Sequence, residues 1–331
     1  PLIHQAIKLD EEEPISSEQL LEFAQVLEEE LEKLNQDIEE TPVKGKDERK
    51  TQRRKLKKVL RKVKEDFSVR AEKYENYQET FEGRNSFSKT DPDATFMRMK
   101  EDHMKNGQLK AAYNLQIATE NQFVLHYDIF SNSTDTKTLL PLLETYPHDV
   151  KTVVADAGYG SEENLLCLDE KEVNHLIKYA MFDKEQKRGY KQSARNLGNW
   201  HYNDKEDSYI HPDGWCYRFH HIKHQKTQTD FQQEIKVYYV DEPESAPQKG
   251  LYMNERYQHL KAKECQALLS PQGRQIFAQR KIDVEPVFGQ IKACLGYKRC
   301  NLRGKRQVRI DMGLVLMANN LLKYNKRTTQ N

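Results

Sequence analysis

Apolar residues recur at alternating steps of four and three at Leu20, Ala24, Leu27, Leu31, Leu34 and Ile38. That spacing predicts a helix with an a/d seam, and Ser16 or Ser17 stands where an N-cap belongs. The breaker "TPVKGK" follows, and then a second seam at Leu56, Leu60, Val63 and Phe67. From about residue 84 the period changes. Tyr113–Thr119 and Phe123–Phe130 read as strands, with "TENQ" between them as a hairpin turn. Thr136–Tyr146 reads as a helix with Asp135 as its cap or dipole partner, and Val150–Ala155 as an apolar strand. Ser161 caps a further helix, with Asn164 at the capping-box position and Leu165, Leu166 and Leu168 on its apolar face. His175–Tyr179 is a short strand.

Residues 183–260 differ in texture. They are polar and aromatic, with the turn signal "HPDG" between runs that favour short antiparallel strands, and they read as a β-rich insertion. Ser270-Pro271 opens a helix that returns at "RKIDVEPVFGQIKACLGY", and a last helix covers about Val308–Asn325. The order strand, strand, helix, strand, helix, strand, insertion, helix predicts α/β layering around a central mixed sheet.

Charge sharpens the first two helices. Asp10 to Glu40 holds thirteen Asp/Glu and one basic residue, Lys33, whereas Lys44 to Lys64 holds twelve Lys/Arg against Asp47 and Glu48. An antiparallel hairpin with complementary flanks follows, either solvated and self-neutralised or laying its basic helix on phosphates. The whole chain of 331 residues carries a formal charge of +1 with 32% charged residues. Its mean hydropathy is −0.94. No apolar run approaches the roughly 18–20 residues of a membrane span. The start "PLIHQAIKLDEEEP" has neither a basic n-region nor an apolar h-region. It begins on Pro1, which reads as a piece of a longer chain. The five cysteines are scattered with no C-x-x-C, as expected of reduced cytosolic thiols, and no zinc site is expected.

Three carboxylate positions carry candidate chemistry. In "VVADAGYGS" the strand ends on Asp156, followed by Ala157 and Gly158. Acids at the carboxyl ends of strands in α/β sheets serve as ligands or catalysts, although Asp also ends strands simply by starting turns. Glu285 lies in "RKIDVEPVFGQIK", where helical spacing puts Lys281, Phe288 and Lys292 near its face; Pro286 predicts a helix start or kink there. Asp91 and Asp93 flank Pro92 in "SKTDPDATFM". Three acids from separate elements form a site rather than a charge clash when cations join them. Hard oxygen donors suit Mg²⁺ or Mn²⁺, and two ions about 3.5–4 Å apart suit phosphodiester chemistry.

The segments "TDPDATFMRM", "YNLQIATENQ", "DTKTLLPLL", "VVADAGYGSEEN", "RKIDVEPVFGQIK" and "MGLVLMANNLLKYN" occur in that order across residues 84–325. Together they resemble the catalytic part of bacterial insertion-sequence transposases of the DDE type. "ADAGY" alone is a weak signal; "ADAGY" followed by R-x4-E-P-V-F-G-x-I-K is a strong one. The resemblance implies an RNase H-like α/β fold over 84–182 and 261–331, with 183–260 inserted before the last acid and residues 1–83 as a helical hairpin or linker. It implies Asp156 as the second acid and Glu285 as the third. Asp91 is the first, with Asp93 the near alternative and Glu120 and Asp128 behind it. Arg280 and Lys292 would hold DNA or the acids, and Phe277 stands nearest the position where the family carries a tyrosine.

The implied activity is metal-dependent DNA cleavage and strand transfer by a cytoplasmic, nucleoid-associated enzyme using two Mg²⁺ or Mn²⁺ ions held by Asp91, Asp156 and Glu285. Its partner is double-stranded DNA, transposon ends and target, bound by a homodimer or larger assembly. The acid-free run "YKRCNLRGKRQVR" adds Lys298, Arg299, Arg303, Lys305 and Arg306 as phosphate contacts or as a solvated loop. A nuclease that cuts without joining and an inactive DNA-binding remnant are the alternatives.

Overall fold

The computed structural model describes residues 15–43, 45, 47–99, 106–244 and 246–329. The chain divides into two compact units, Pro1–Pro92 and Asp93–Asn331. The pattern of charges and seams is realised in the first as a helical hairpin. Helix α1 spans Ser17–Glu40, and Ser16 caps it through a capping box with Gln19. Helix α2 spans Glu48–Lys62, a π-helical turn follows at Val63–Phe67, and α3 continues over Ser68–Phe81. The two arms run antiparallel: Ser17 bonds Glu75, Glu28 pairs with Lys64, and Arg49 donates to the Asp37 and Thr41 carbonyls. Leu20, Ala24, Leu27 and Val63 are buried between them, with Leu60 and Ala71 packed alongside.

The seam departs from its expected course at one point. Phe67, read as its next member, is 36% exposed, whereas Ser68 is buried. The π turn adds a residue, so the buried face after Val63 resumes at Ser68 rather than Phe67. Residues 1–14, which carry the start of the acidic run, lie outside the described residues.

In the second unit, β1 (Thr95–Arg98) and β2 (Leu109–Ala112) form an antiparallel pair that the sequence pattern did not signal. Strands β3 (Asn114–Glu120) and β4 (Phe123–Phe130) form the expected hairpin. Its two linking residues, Asn121 and Gln122, have φ of 52° and 69°, the left-handed values a tight hairpin needs. The next helix is shorter than expected: a 3₁₀ turn at Asp135–Lys137 precedes α4 (Leu139–Glu144). Strand β5 (Thr152–Ala155) pairs in parallel with β6 (Asn174–Ile177) across α5 (Glu162–Glu170). Ser161 caps α5 as expected, but the buried Asn164 amide donates to the Tyr159 and Thr136 carbonyls.

Two short helices, α6 (Phe182–Glu185) and α7 (Arg188–Lys191), lead into an all-antiparallel sheet. Strands β7 (His201–Asn203), β8 (Ser208–Ile210), β9 (Cys216–Lys226), β10 (Gln232–Val240) and β11 (Gly250–Met253) lie in chain order across it. The sheet has its own core of Tyr217, Tyr238, Val240 and Met253. One buried carboxylate fastens it at the start of α5: Glu162 receives Gln233 at 2.7 Å, Asn254 at 2.6 Å and Arg256 at 2.5 Å.

Helices α8 (Glu255–Leu269) and α9 (Pro271–Gly289) follow, then a π-helical turn at Gln290–Cys294 and α10 (Lys305–Thr328). Helix α9 is anchored near both ends, with Phe277 packed on the Leu176–Tyr179–Phe182–Leu268 cluster and Val287 buried with Ile291, Met312 and Leu316. The expected single mixed sheet is divided here. Among the described residues, β3–β4 and β5–β6 are hydrogen-bonded only within each pair. The mixed α/β character stands, and no described helix is long and apolar enough to cross a membrane.

Candidate active site

Strand β5 delivers Asp156 to its carboxyl end, where Asp156 caps the 3₁₀ turn Ala157–Tyr159 by accepting from the Gly158 N–H at 3.2 Å. The two glycines that follow are required by contact. A Cβ on Gly158 would lie 3.0 Å from Asp135 Oδ2 and 3.3 Å from Asp156 Oδ1. A Cβ on Gly160 would lie 2.2 Å from the Lys178 carbonyl oxygen. The small residues therefore bring Asp135 and Asp156 together and let the turn press on the chain after β6.

Asp135, expected as a helix cap, has a different task. Its backbone carbonyl accepts from Thr138, and its carboxylate turns to β3, where Asn114 Nδ2 donates at 2.7 Å and Gln116 Nε2 at 2.9 Å. Asn114 and Gln116 share a face because they are two residues apart on a strand. The Tyr159 hydroxyl donates in turn to Gln116 Oε1. Burial raises the phenol pKa, and the charges of Asp135 and Asp156 raise it further against the lowering by Arg280, so Tyr159 stays a neutral donor.

Arg280 reaches this cluster from α9, its Nη2 lying 2.8 Å from Asp156 Oδ2. The Arg280 side chain is 21% exposed and the Asp156 side chain 49%. Phe277, one turn earlier, is a core residue carrying the Lys178 ammonium 4.9 Å from its ring centroid. Glu285 lies on the same helix five residues past Arg280, about 140° around and about 7.5 Å along the axis, and is exposed. Pro286 neither starts nor ends that helix: Ser270 caps it, accepting from Gly273 N, and the helix runs through Pro286 into the π turn.

The candidates for the first acid lie on different elements. Asp91 is buried in the first unit, bridged to Ser88. Asp93 accepts the Lys305 N–H at 2.7 Å and so holds the start of α10, while its carbonyl accepts from Ser131. Glu120 is exposed at the end of β3. Asp128 is buried on β4, accepting from Ile129 N with Arg309 Nε at 3.5 Å. Lys292, Lys298, Arg299, Arg303, Lys305 and Arg306 are all exposed, the last five on or beside the loop before α10.

Of the residues named from sequence, Asp156 and Arg280 are thus brought together. Asp135, Asn114, Gln116 and Tyr159 join them. The i, i+2 amides of "YNLQ" were the one signal in the sequence that could have pointed to that network. Among the described residues no group of three His, Cys, Asp or Glu side chains is disposed to hold a metal ion. With a guanidinium on Asp156 and Glu285 exposed, this arrangement does not fit a divalent ion held by three acids.

A family model described as the transposase DDE domain matches residues 86–321. No curated protein and no solved structure matches the chain.

Proposed function

The chain belongs to the transposase DDE-domain family, and from that premise we propose that it cuts DNA at the ends of an insertion sequence and joins the freed ends to target DNA. In the first step a water oxygen attacks the phosphodiester and the P–O3′ bond breaks, leaving a 3′-hydroxyl on the element and a 5′-phosphate on its flank. In the second, that 3′-oxygen attacks a target phosphodiester, its proton goes to solvent, and a target 3′-hydroxyl leaves. The family match carries this reading. Asp156 at the end of β5, tied to the helix that bears Glu285, supports it.

In this reading residues 84–182 and 261–331 are the catalytic part with an RNase H-like ancestry, and 183–260 is an insert. Asp156 and Glu285 are the second and third acids. Asp91 is the first, with Asp93, whose carboxylate accepts from Lys305 N, as the near alternative. Mg²⁺ or Mn²⁺, two ions, is the cofactor that the family implies; hard carboxylate donors suit such ions, but the arrangement of acids in this structure does not fit them. Arg280, Lys292, Lys298, Arg299, Arg303, Lys305 and Arg306 bind phosphates of double-stranded DNA. The exposure of the last six and the absence of acids from Lys298 to Arg306 support that surface. Assembly as a homodimer on DNA and a cytoplasmic, nucleoid-associated location belong to the same proposal.

A strand-transfer assay with pre-cut, labelled element ends and a plasmid target tests it. The full chain is expected to join ends in Mg²⁺ or Mn²⁺, and Asp156→Asn and Glu285→Gln are each expected to lose joining to background. Joining that survives both substitutions would overturn the assignment of the acids. Cleavage without joining would favour a nuclease. DNA binding with neither reaction would favour an inactive remnant, the reading that the exposed position of Glu285 supports.

A further inference from the structure

Helix α10 is apolar on two sides. Val308, Met312, Leu316 and Asn319 are buried, with Met312 and Leu316 in one cluster with Val124, Val287 and Ile291. Ile310, Leu314, Met317, Leu321 and Tyr324 form a second stripe, and each of them is more than half exposed. Steps of about 100° per residue put the two stripes on opposite sides of the helix. The second stripe advances by four, three, four and three residues, which is the a/d spacing of a coiled coil. Leu314 and Leu321 take its a positions, and Ile310, Met317 and Tyr324 its d positions. It runs about 21 Å along the axis. Single apolar residues on a surface need no partner, but an unbroken row of five large ones marks an interface.

The flanks of the stripe select the partner. Its g positions are Arg306, Gly313, Asn320 and Arg327, and its e positions are Asp311, Ala318 and Asn325. In a parallel pair each g residue meets the e residue five positions further along the other helix. A second copy then sets Arg306 against Asp311, Gly313 against Ala318 and Asn320 against Asn325, twice each by symmetry. An antiparallel pair centred on Met317 sets Arg306 against Arg327 instead, a clash of like charges. A carboxylate accepts several donors, so Asp311, which takes the Tyr297 hydroxyl at 2.7 Å, has capacity for an arginine as well. The guanidinium fork of Arg306 keeps a second edge for a phosphate.

Pairing requires no ordering of the helix. Asn320 exchanges hydrogen bonds with Val124 of β4 at 2.9 and 2.8 Å, and Gly313 leaves room for the Tyr127 hydroxyl. A free helix of this length would lose much of its pairing energy to helix formation, whereas α10 is already held by its own core.

We propose that the exposed stripe of α10 pairs with the same stripe of a second copy, as a parallel two-stranded coiled coil about a two-fold axis. The pairing supplies a surface for the homodimer of the transposase reading, but it rests on the helix alone. It is tested without DNA, so its failure and a failure of strand transfer are told apart.

Sedimentation velocity of the full chain at tens of micromolar is expected to show a species of twice the monomer mass. Leu314→Glu combined with Leu321→Glu, both at exposed positions, is expected to shift it to the monomer with an unchanged far-ultraviolet circular dichroism spectrum. Arg306→Glu, on the exposed first turn, decides independently of that variant. It faces Asp311 in the parallel pair and is expected to weaken the dimer severalfold, whereas in an antiparallel pair it would face Arg327 and tighten it. A chain that stays monomeric, a dimer that survives the double substitution in a folded chain, or an assembly of three or more chains would overturn the pairing. A dimer that Arg306→Glu tightens would overturn its parallel sense.

Discussion

Gly160 has no space for a methyl group: a Cβ there would meet the Lys178 carbonyl oxygen at 2.2 Å and Tyr179 Cα at 2.8 Å. These are backbone atoms and cannot swing aside. Gly158 is different, because its neighbour at 3.0 Å is the end of the Asp135 side chain. Gly160→Ala is therefore expected to destabilise the chain by about 1–3 kcal/mol or more, and Gly158→Ala by clearly less. Urea melts of the two variants check the ranking, and equal losses would show that the turn is not pressed on the chain after β6. At this scale the sequence exposed Asp156, because a strand of β-branched residues ending on an acid is a local pattern. It did not expose Asp135, because the amides that turn its carboxylate inward lie 19 and 21 residues away, and only the folded β3 brings them there.

Among the elements, β6 is clamped to its neighbours by one imidazole. His175 Nε2 lies 3.0 Å from Asp169 Oδ1 on α5, and its Nδ1 lies 2.5 Å from Glu264 Oε1 on α8. Glu264 also accepts the Ile177 N–H through Oε2 at 2.8 Å. Burial pulls the imidazole pKa down, but the hydrogen bonds and charges of Glu264 and Asp169 outweigh it, so the net shift is upward from 6.5. An unfolded histidine titrates near 6.5. The stabilisation is thus fully present below about pH 6.5 and is lost as pH rises through the higher folded value. The wild type is expected to melt at a lower temperature at pH 9 than at pH 6 by a margin that His175→Gln does not share. A pH dependence identical in the two proteins would remove His175 as its source. The clamp was not readable from sequence, since Glu264 on α8 reaches β6 across 87 residues. The hairpin seam was readable, as its period is local, up to the π turn at Val63–Phe67 that moved Phe67 off it.

At the scale of the whole molecule each unit closes its own core, the first around Ala24 and Val63 and the second around four further clusters. Residues 93–331 expressed alone are therefore expected to fold and to melt in a cooperative transition. Near-ultraviolet circular dichroism and calorimetry check this, and a featureless spectrum would contradict it. Much of the order of elements after β2, and the run of short antiparallel strands β7–β11, were legible because hairpin turns and caps mark them locally. The division of the expected mixed sheet was not, since strand partners across long connections leave no periodic trace in the chain. The five-stranded sheet meets the start of α5 at Glu162, whose one carboxylate gathers Gln233, Asn254 and Arg256. Glu162 stands six residues after Asp156, across a turn too tight at Gly160 to absorb movement. Thr229 bonds Glu163 and Lys137 bonds Gln228 as well, so the sheet is moored to the segments that follow both Asp135 and Asp156.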